Sequence, residues 1–198
     1  EIFDYMEQHP KNGKSASLLS VSEDLRHTLK DYEEEYRENG EDLQKITNDD
    51  YKLSDIHGIS NTQMKELYKQ FFDSNSKFRQ NLYELTPSRC PICDTYWGYA
   101  ARTLDHILPE SIFPQFSILP LNLVPTCYRC NHTKSTTVGY LPNEGVINPF
   151  FNNINLTNYL KCYIYIKNND FTTHIHLKHE SDLLIDDNRY QRLKYFYE

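Results

Sequence analysis

The chain has 198 residues, 38% of them hydrophobic and 14% aromatic, and a formal net charge of −7. That length suits one domain with extensions or two small domains. No run is long and apolar enough for a transmembrane helix, and no signal-peptide pattern appears. The acidity is uneven: residues 1–85 carry 11 Lys and Arg against 18 Asp and Glu, residues 86–137 carry 4 against 3, and residues 138–198 carry 6 against 7. Such a balance predicts weak, salt-sensitive affinity for bare DNA unless a partner supplies positive surface. The chain begins at Glu1 rather than Met, so its natural start is expected upstream. With no membrane segment, a cytoplasmic protein is expected.

The N-terminal third reads as helical. Leu18, Val21, Leu25, Leu29, Tyr32 and Tyr36 recur at steps of three and four, on one helix face, and Gly40 suits the stop. Glu33, Glu34, Glu35 and Glu38 lie mainly off that face, as a solvated acidic surface or a docking surface for a basic partner. After the polar Thr47-Asn48-Asp49-Asp50, Asn61 or Thr62 is expected to cap a helix carrying Met64, Leu67, Tyr68 and Phe71. Another helical piece with Phe78, Leu82 and Leu85 ends at Thr86-Pro87.

From Arg89 to Thr137 the sequence is rich in Pro, Cys and turn residues, with short strands expected at Thr103–His106 and around Asn122–Val124, and a helix from about Cys130. Farther on, Tyr159–Ile166 alternates, Asn168-Asn169-Asp170 turns, and Phe171–Leu177 returns, which predicts a hairpin. His174 and His176 share one face of it, with His179 nearby; solvent-facing histidines are the default there, a metal site the sharper reading. Cys162 reads as a small buried apolar residue. Ser181–Tyr197 is expected to form a helix. The fold class is therefore α+β: a helical region over 1–86, a zinc-stabilised core over 87–152, and a hairpin-plus-helix extension over 153–198.

Four of the five cysteines form two pairs, Cys90-Pro91-Ile92-Cys93 and Cys127-Tyr128-Arg129-Cys130. Two thiolates from each tight turn complete a tetrahedron around one Zn²⁺, in a reducing compartment. With four thiolate ligands no position stays open for water, so that zinc is structural. Chemistry then falls to other residues. Asp105 offers a hard oxygen ligand for Mg²⁺ or Mn²⁺. The adjacent His106 has a pKa suited to taking a proton from water near neutral pH. Asn131 follows Cys130, so the zinc turn fixes its position at a helix start, where its amide oxygen can meet the same metal and backbone amides favour phosphate. Arg102, Arg129 and Lys134 are the nearby cations for backbone phosphate.

Cys90/Cys93, Leu104-Asp105-His106-Ile107-Leu108-Pro109, Asn122-Leu123-Val124-Pro125 and Cys127-x-x-Cys130-Asn131-x-x-Lys134, in this order, resemble the HNH endonucleases, whose fold is the ββα-metal motif. The resemblance covers about 45 residues closely. A looser similarity reaches from Met64-Lys65-Glu66-Leu67-Tyr68 to Asn148-Pro149-Phe150-Phe151. It implies that His106 is the general base, that Asp105 and Asn131 hold the catalytic Mg²⁺ or Mn²⁺, and that Asn122 braces the loop carrying the base. It also implies that Lys134 holds or neutralises phosphate and that DNA is cut to 5′-phosphate and 3′-hydroxyl ends. Asn131 stands where a histidine-rich subset of the family has His, and Ser135 occupies the further ligand position. His132 is expected at phosphate or on the surface. Bacterial proteins of this kind act in restriction or anti-phage defence, sometimes beside a regulatory ATPase, for which the acidic helices would be the docking element. The competing expectation is a non-catalytic, zinc-stabilised module that binds nucleic acid or protein.

Overall fold

The structure, a computed structural model, describes residues 23–47, 55–56, 59–72, 76–136, 146–152, 160–168 and 170–178. Within them the fold is α+β, built from four α-helices, a few 3₁₀ turns and three two-stranded antiparallel sheets. Helix α1, Glu23–Glu38, buries Leu25, Leu29 and Tyr36 on one side, the spacing expected of an amphipathic helix. Leu18 and Val21 lie outside the described residues. The chain turns after Glu38, and Gly40 packs face-on to Phe151; a Cβ there would stand 2.3 Å from that ring.

Strands β1 (Asp55–Ile56) and β2 (Ile59–Ser60) form a tight ribbon that feeds helix α2, Asn61–Phe71. The cap of α2 is Ser60, one residue ahead of the expected Asn61 or Thr62. Ser60 keeps an extended backbone, its Oγ accepts from the amide of Gln63 at 3.3 Å, and Gln63 Oε1 accepts from the amide of Ser60 at 2.9 Å. This reciprocal pair satisfies two helix-end donors at once. Helix α3, Lys77–Glu84, has a simpler one-way cap: the Ser76 Oγ accepts from Arg79 N at 3.0 Å.

Strand β3 is Arg102–His106 and strand β4 is Leu123–Cys127. They pair antiparallel with Arg102 opposite Cys127 and His106 opposite Leu123. Helix α4, Tyr128–Lys134, begins two residues before Cys130 because Cys127 is its cap: the Cys127 Sγ accepts from the Cys130 amide at 3.4 Å. Asn131 therefore lies within the helix, not at its first turn.

Two apolar clusters hold these pieces. Leu25, Leu29, Met64, Leu67 and Leu82 pack with Leu104 and Leu123. Tyr36, Leu43 and Ile46 pack with Ile107, Leu108, Phe113, Phe116 and Val124. Helix α1 feeds both, so the end of α3 near residue 86 is not a break in the core. At roughly 1.5–3 kcal/mol per fully buried Leu, Ile or Phe, this shared packing is what seats β3 and the loop after it.

The hairpin is β5, Leu160–Lys167, and β6, Asp170–Leu177, with Lys167 opposite Asp170. Asn168 takes a positive φ of 53°, which Asn tolerates in turns. Cys162, expected to be buried, is exposed: it stands in a two-stranded ribbon, with Tyr163, Ile164, Tyr165 and Ile166 beside it exposed as well. His179 and the expected helix over Ser181–Tyr197 lie outside the described residues.

Candidate functional site

At one end of the β3–β4 pair the four cysteines converge. Their Sγ atoms all lie within 4.8 Å of one another, and those of Cys93 and Cys127 are 3.7 Å apart. Four sulfurs bound to one zinc at about 2.3 Å stand roughly 3.8 Å from each other, whereas a disulfide needs about 2.05 Å. The donor set fits a metal ion such as zinc. The first turn is shaped for it: Asp94 adopts φ 61°, its amide donates to the Cys90 carbonyl at 2.9 Å, and the Cys90 amide donates to the Thr95 carbonyl at 2.9 Å. The Cys127 amide donates to the Cys90 Sγ at 3.4 Å. The Cys130 thiol, and then the backbone amides of Cys127, Cys93 and Ile92, hold the Cys90 thiol well below its usual range against the effect of burial. In turn the bond to Cys90, and then burial, pushes the Cys130 thiol up, and burial pushes Cys127 up. Four thiolates this close need a cation to ionise together, which is what a divalent metal supplies.

At the other end of the pair stand Asp105 and His106. Asp105 is buried at 4% exposure. Its Oδ1 meets the Lys134 ammonium at 3.1 Å. Burial pushes the carboxyl up to about 6, against the pull of Lys134. His106 is packed edge-on to Tyr68, with ring centroids 4.4 Å apart. Its Nε2 lies 3.0 Å from the Ser117 carbonyl and 4.0 Å from Glu110 Oε2. A carbonyl only accepts, so Nε2 carries the hydrogen and Nδ1 keeps the lone pair. Burial pushes the imidazole down to about 4, so the ring is neutral at neutral pH.

The loop after β3 is tied down by Asn122, which is fully buried. Its Oδ1 accepts from the Leu108 amide at 2.7 Å and from the Tyr36 hydroxyl at 3.0 Å. Its Nδ2 donates to the carbonyls of Leu108 at 3.0 Å and Phe116 at 3.1 Å. Both of its ends are thus saturated, as a buried amide requires. Beyond it, Asn148 Nδ2 donates to the Tyr36 hydroxyl at 3.1 Å and the Leu121 carbonyl at 2.9 Å. One relay, Asn148–Tyr36–Asn122, runs from helix α1 to the loop that places Ser117 behind the histidine.

The remaining sequence-picked residues divide. Asn131 Nδ2 donates to Thr103 Oγ1 at 3.1 Å and to the Leu104 carbonyl at 3.4 Å, which fixes α4 to β3 just before Asp105. Lys134, expected at phosphate, is instead 7% exposed; besides Asp105 it meets the His106 carbonyl at 2.8 Å. The buried carboxylate and the open carbonyls at the end of β3 draw its ammonium inward. Arg102, also expected at phosphate, lies between the rings of Tyr83 and Trp97, at 4.9 and 4.7 Å, and donates to the Tyr83 carbonyl at 3.2 Å. Its place opposite Cys127 turns it to the helix α3 side, where those rings offer a cation–π slot. Arg129 and His132 are on the exposed side of α4, His132 stacked on Tyr128 at 5.6 Å. Sequence reasoning missed Tyr36, Ser117, Glu110 and the buried role of Asn148. Glu110 alone carried a local signal, four residues after His106.

No family model matches the chain, and no solved structure matches it. It is similar to Protein ea31 of Escherichia phage lambda, at 28% identity over 80 residues, 38% of this chain and 26% of that protein. The chain thus spans about a quarter of the length of that relative.

Proposed function

We propose that the chain is a metal-dependent endonuclease that hydrolyses DNA phosphodiester bonds, with His106 as general base. The observation that carries this reading is the bond from His106 to the Ser117 carbonyl at 3.0 Å: with Nε2 pinned to a carbonyl, Nδ1 of His106 is a neutral, fixed proton acceptor. In this reading Nδ1 removes a proton from water, and that water attacks phosphorus. The carboxylate of Asp105 and the amide oxygen of Asn131 would hold a Mg²⁺ or Mn²⁺ ion, both being oxygen donors suited to a hard cation. The bound cation supplies charge stabilisation for the non-bridging and leaving oxygens. Asn122 acts through the loop, keeping Ser117 in place. The exposed Arg129 and His132 of α4 are the side chains assigned to backbone phosphate in this reading. A role in bacterial restriction or anti-phage defence, with a regulatory ATPase docked on the acidic helices, is part of the proposal.

The test is supercoiled plasmid with Mg²⁺ or Mn²⁺ added or withheld, without chelator, so that the thiolate site keeps its metal. The expected result is cation-dependent nicking that falls at least ~100-fold in His106→Ala. Undiminished cleavage by that variant ends the assignment.

A second reading, a non-catalytic zinc-stabilised binding module, draws on the Asp105–Lys134 pair. A buried carboxylate already neutralised by an ammonium needs no metal. Soluble, zinc-loaded protein with no cleavage under any cation would favour it.

A further inference from the structure

We propose that one face of the β5–β6 hairpin binds an unpaired DNA strand by base stacking. Strand alternation and register put Tyr163, Tyr165, His174 and His176 on a single face. The two tyrosine rings stack 6.4 Å apart and the two histidine rings 6.0 Å apart, the latter within 6° of parallel. Across the strands Tyr165 meets His174 edge-on at 5.3 Å, and Tyr163 meets His176 at 5.9 Å. These rings offer exposed aromatic faces of the kind on which successive bases stack.

The same face carries Lys161 and Lys167 against one acid, Asp170. Its charge is therefore opposite in sign to that of the chain, which is −7, and complementary to a phosphate backbone. The face is open: Tyr163 is 44% and Tyr165 57% exposed. The opposite face is of another kind, with Ile164, Ile166 and Phe171 exposed. Aromatic rings interleaved with cations are the requirement for binding single strands without reading their sequence.

The choice of DNA rests on the nuclease reading; the stacking surface does not. Binding is therefore measured on the full chain carrying His106→Ala, by fluorescence anisotropy of a labelled 20-mer oligothymidylate, the matching duplex and an oligouridylate, at low and moderate salt. The single DNA strand should bind best and lose affinity with salt. Tyr163→Ala with Tyr165→Ala should weaken it at least ~10-fold, and Lys161→Glu with Lys167→Glu should weaken it and flatten the salt dependence. Tyr163→Phe with Tyr165→Phe keeps the ring faces, and so should keep the affinity and guard against a merely unfolded hairpin. Equal affinity for the duplex, tighter binding of oligouridylate, or indifference to both the tyrosine and the lysine changes would overturn the proposal. So would a tyrosine variant whose only effect is a changed mass in sedimentation, which would mark a face between copies of the chain. Oligonucleotide binding that persists while the parent chain cuts no plasmid would sink the nuclease reading alone.

Discussion

The two ends of the β3–β4 pair are held by opposite strategies. At the Arg102–Cys127 end, four identical side chains from two short turns converge on a point and leave the rest to a cation. At the His106–Leu123 end the side chains are of six different types. Asp105, His106, Lys134, Ser117, Asn122, Tyr36 and Asn148 come from five separate parts of the chain and are joined by several distinct bonds, with Tyr36 serving both asparagines. The first end is one local cluster of four thiols that could hold a metal ion. The second depends on many modest bonds formed after the core has closed, so its parts should fail one at a time.

Substitutions can break this contrast. The largest effect is expected at the thiolate end: Cys90→Ser with Cys93→Ser should abolish bound zinc, assayed by elemental analysis, and collapse the soluble yield. Structural zinc sites are worth ~10 kcal/mol in small domains, on the order of a whole domain's stability. A soluble, cooperatively melting double variant would show that the two ends are held more alike than proposed. Next comes Lys134→Met, which strands a buried carboxylate; about 3–5 kcal/mol should be lost in chemical denaturation. Adding Asp105→Asn should return part of it, a coupling that a double-mutant cycle reads directly.

Asn122→Ala should cost about 2–4 kcal/mol, because the Leu108 amide and the Phe116 carbonyl lose their partner in a dry site. Zinc content should be unchanged, which separates the ends cleanly. The smallest expected effect is Tyr36→Phe, about 1–2 kcal/mol for one buried hydroxyl shared by two asparagines, read as a shift in denaturation midpoint at constant slope. If Tyr36→Phe cost as much as Asn122→Ala, the relay would be acting as a unit.

The same contrast explains what could be read before the fold was known. Cysteine pairs at fixed spacing announce their geometry because ligand type and turn length determine it. The α+β class, the helix over Leu25–Tyr36 and the hairpin followed from periodicity. Lys134 and Arg102 went the other way. A cation near a nuclease-like motif reads as a phosphate contact, and only the packed structure reveals a buried carboxylate for one and two aromatic faces for the other. Ser117 left no trace in sequence, since what it contributes is a backbone carbonyl. Tyr36 looked like one more core aromatic in a chain with sixteen tyrosines, and its hydroxyl became meaningful only through residues 86 and 112 positions away. Cys162 misled because an alternating run cannot say whether a third strand or a helix covers it.

Strand β3, at five residues, also acts as a spacer whose length has a parity. Its first residue faces the second thiolate pair across the ladder, and its last two are the Asp–His pair. Adding or removing one residue between them would leave every cysteine able to close on its ion, yet exchange the sides on which Asp105 and His106 project. Such a chain would keep its four thiols together with the pair turned inside out. Evolutionary insertions should therefore avoid this strand or arrive in twos, and a strand of even length here would by itself mark a descendant that kept the scaffold and lost the present orientation of Asp105 and His106.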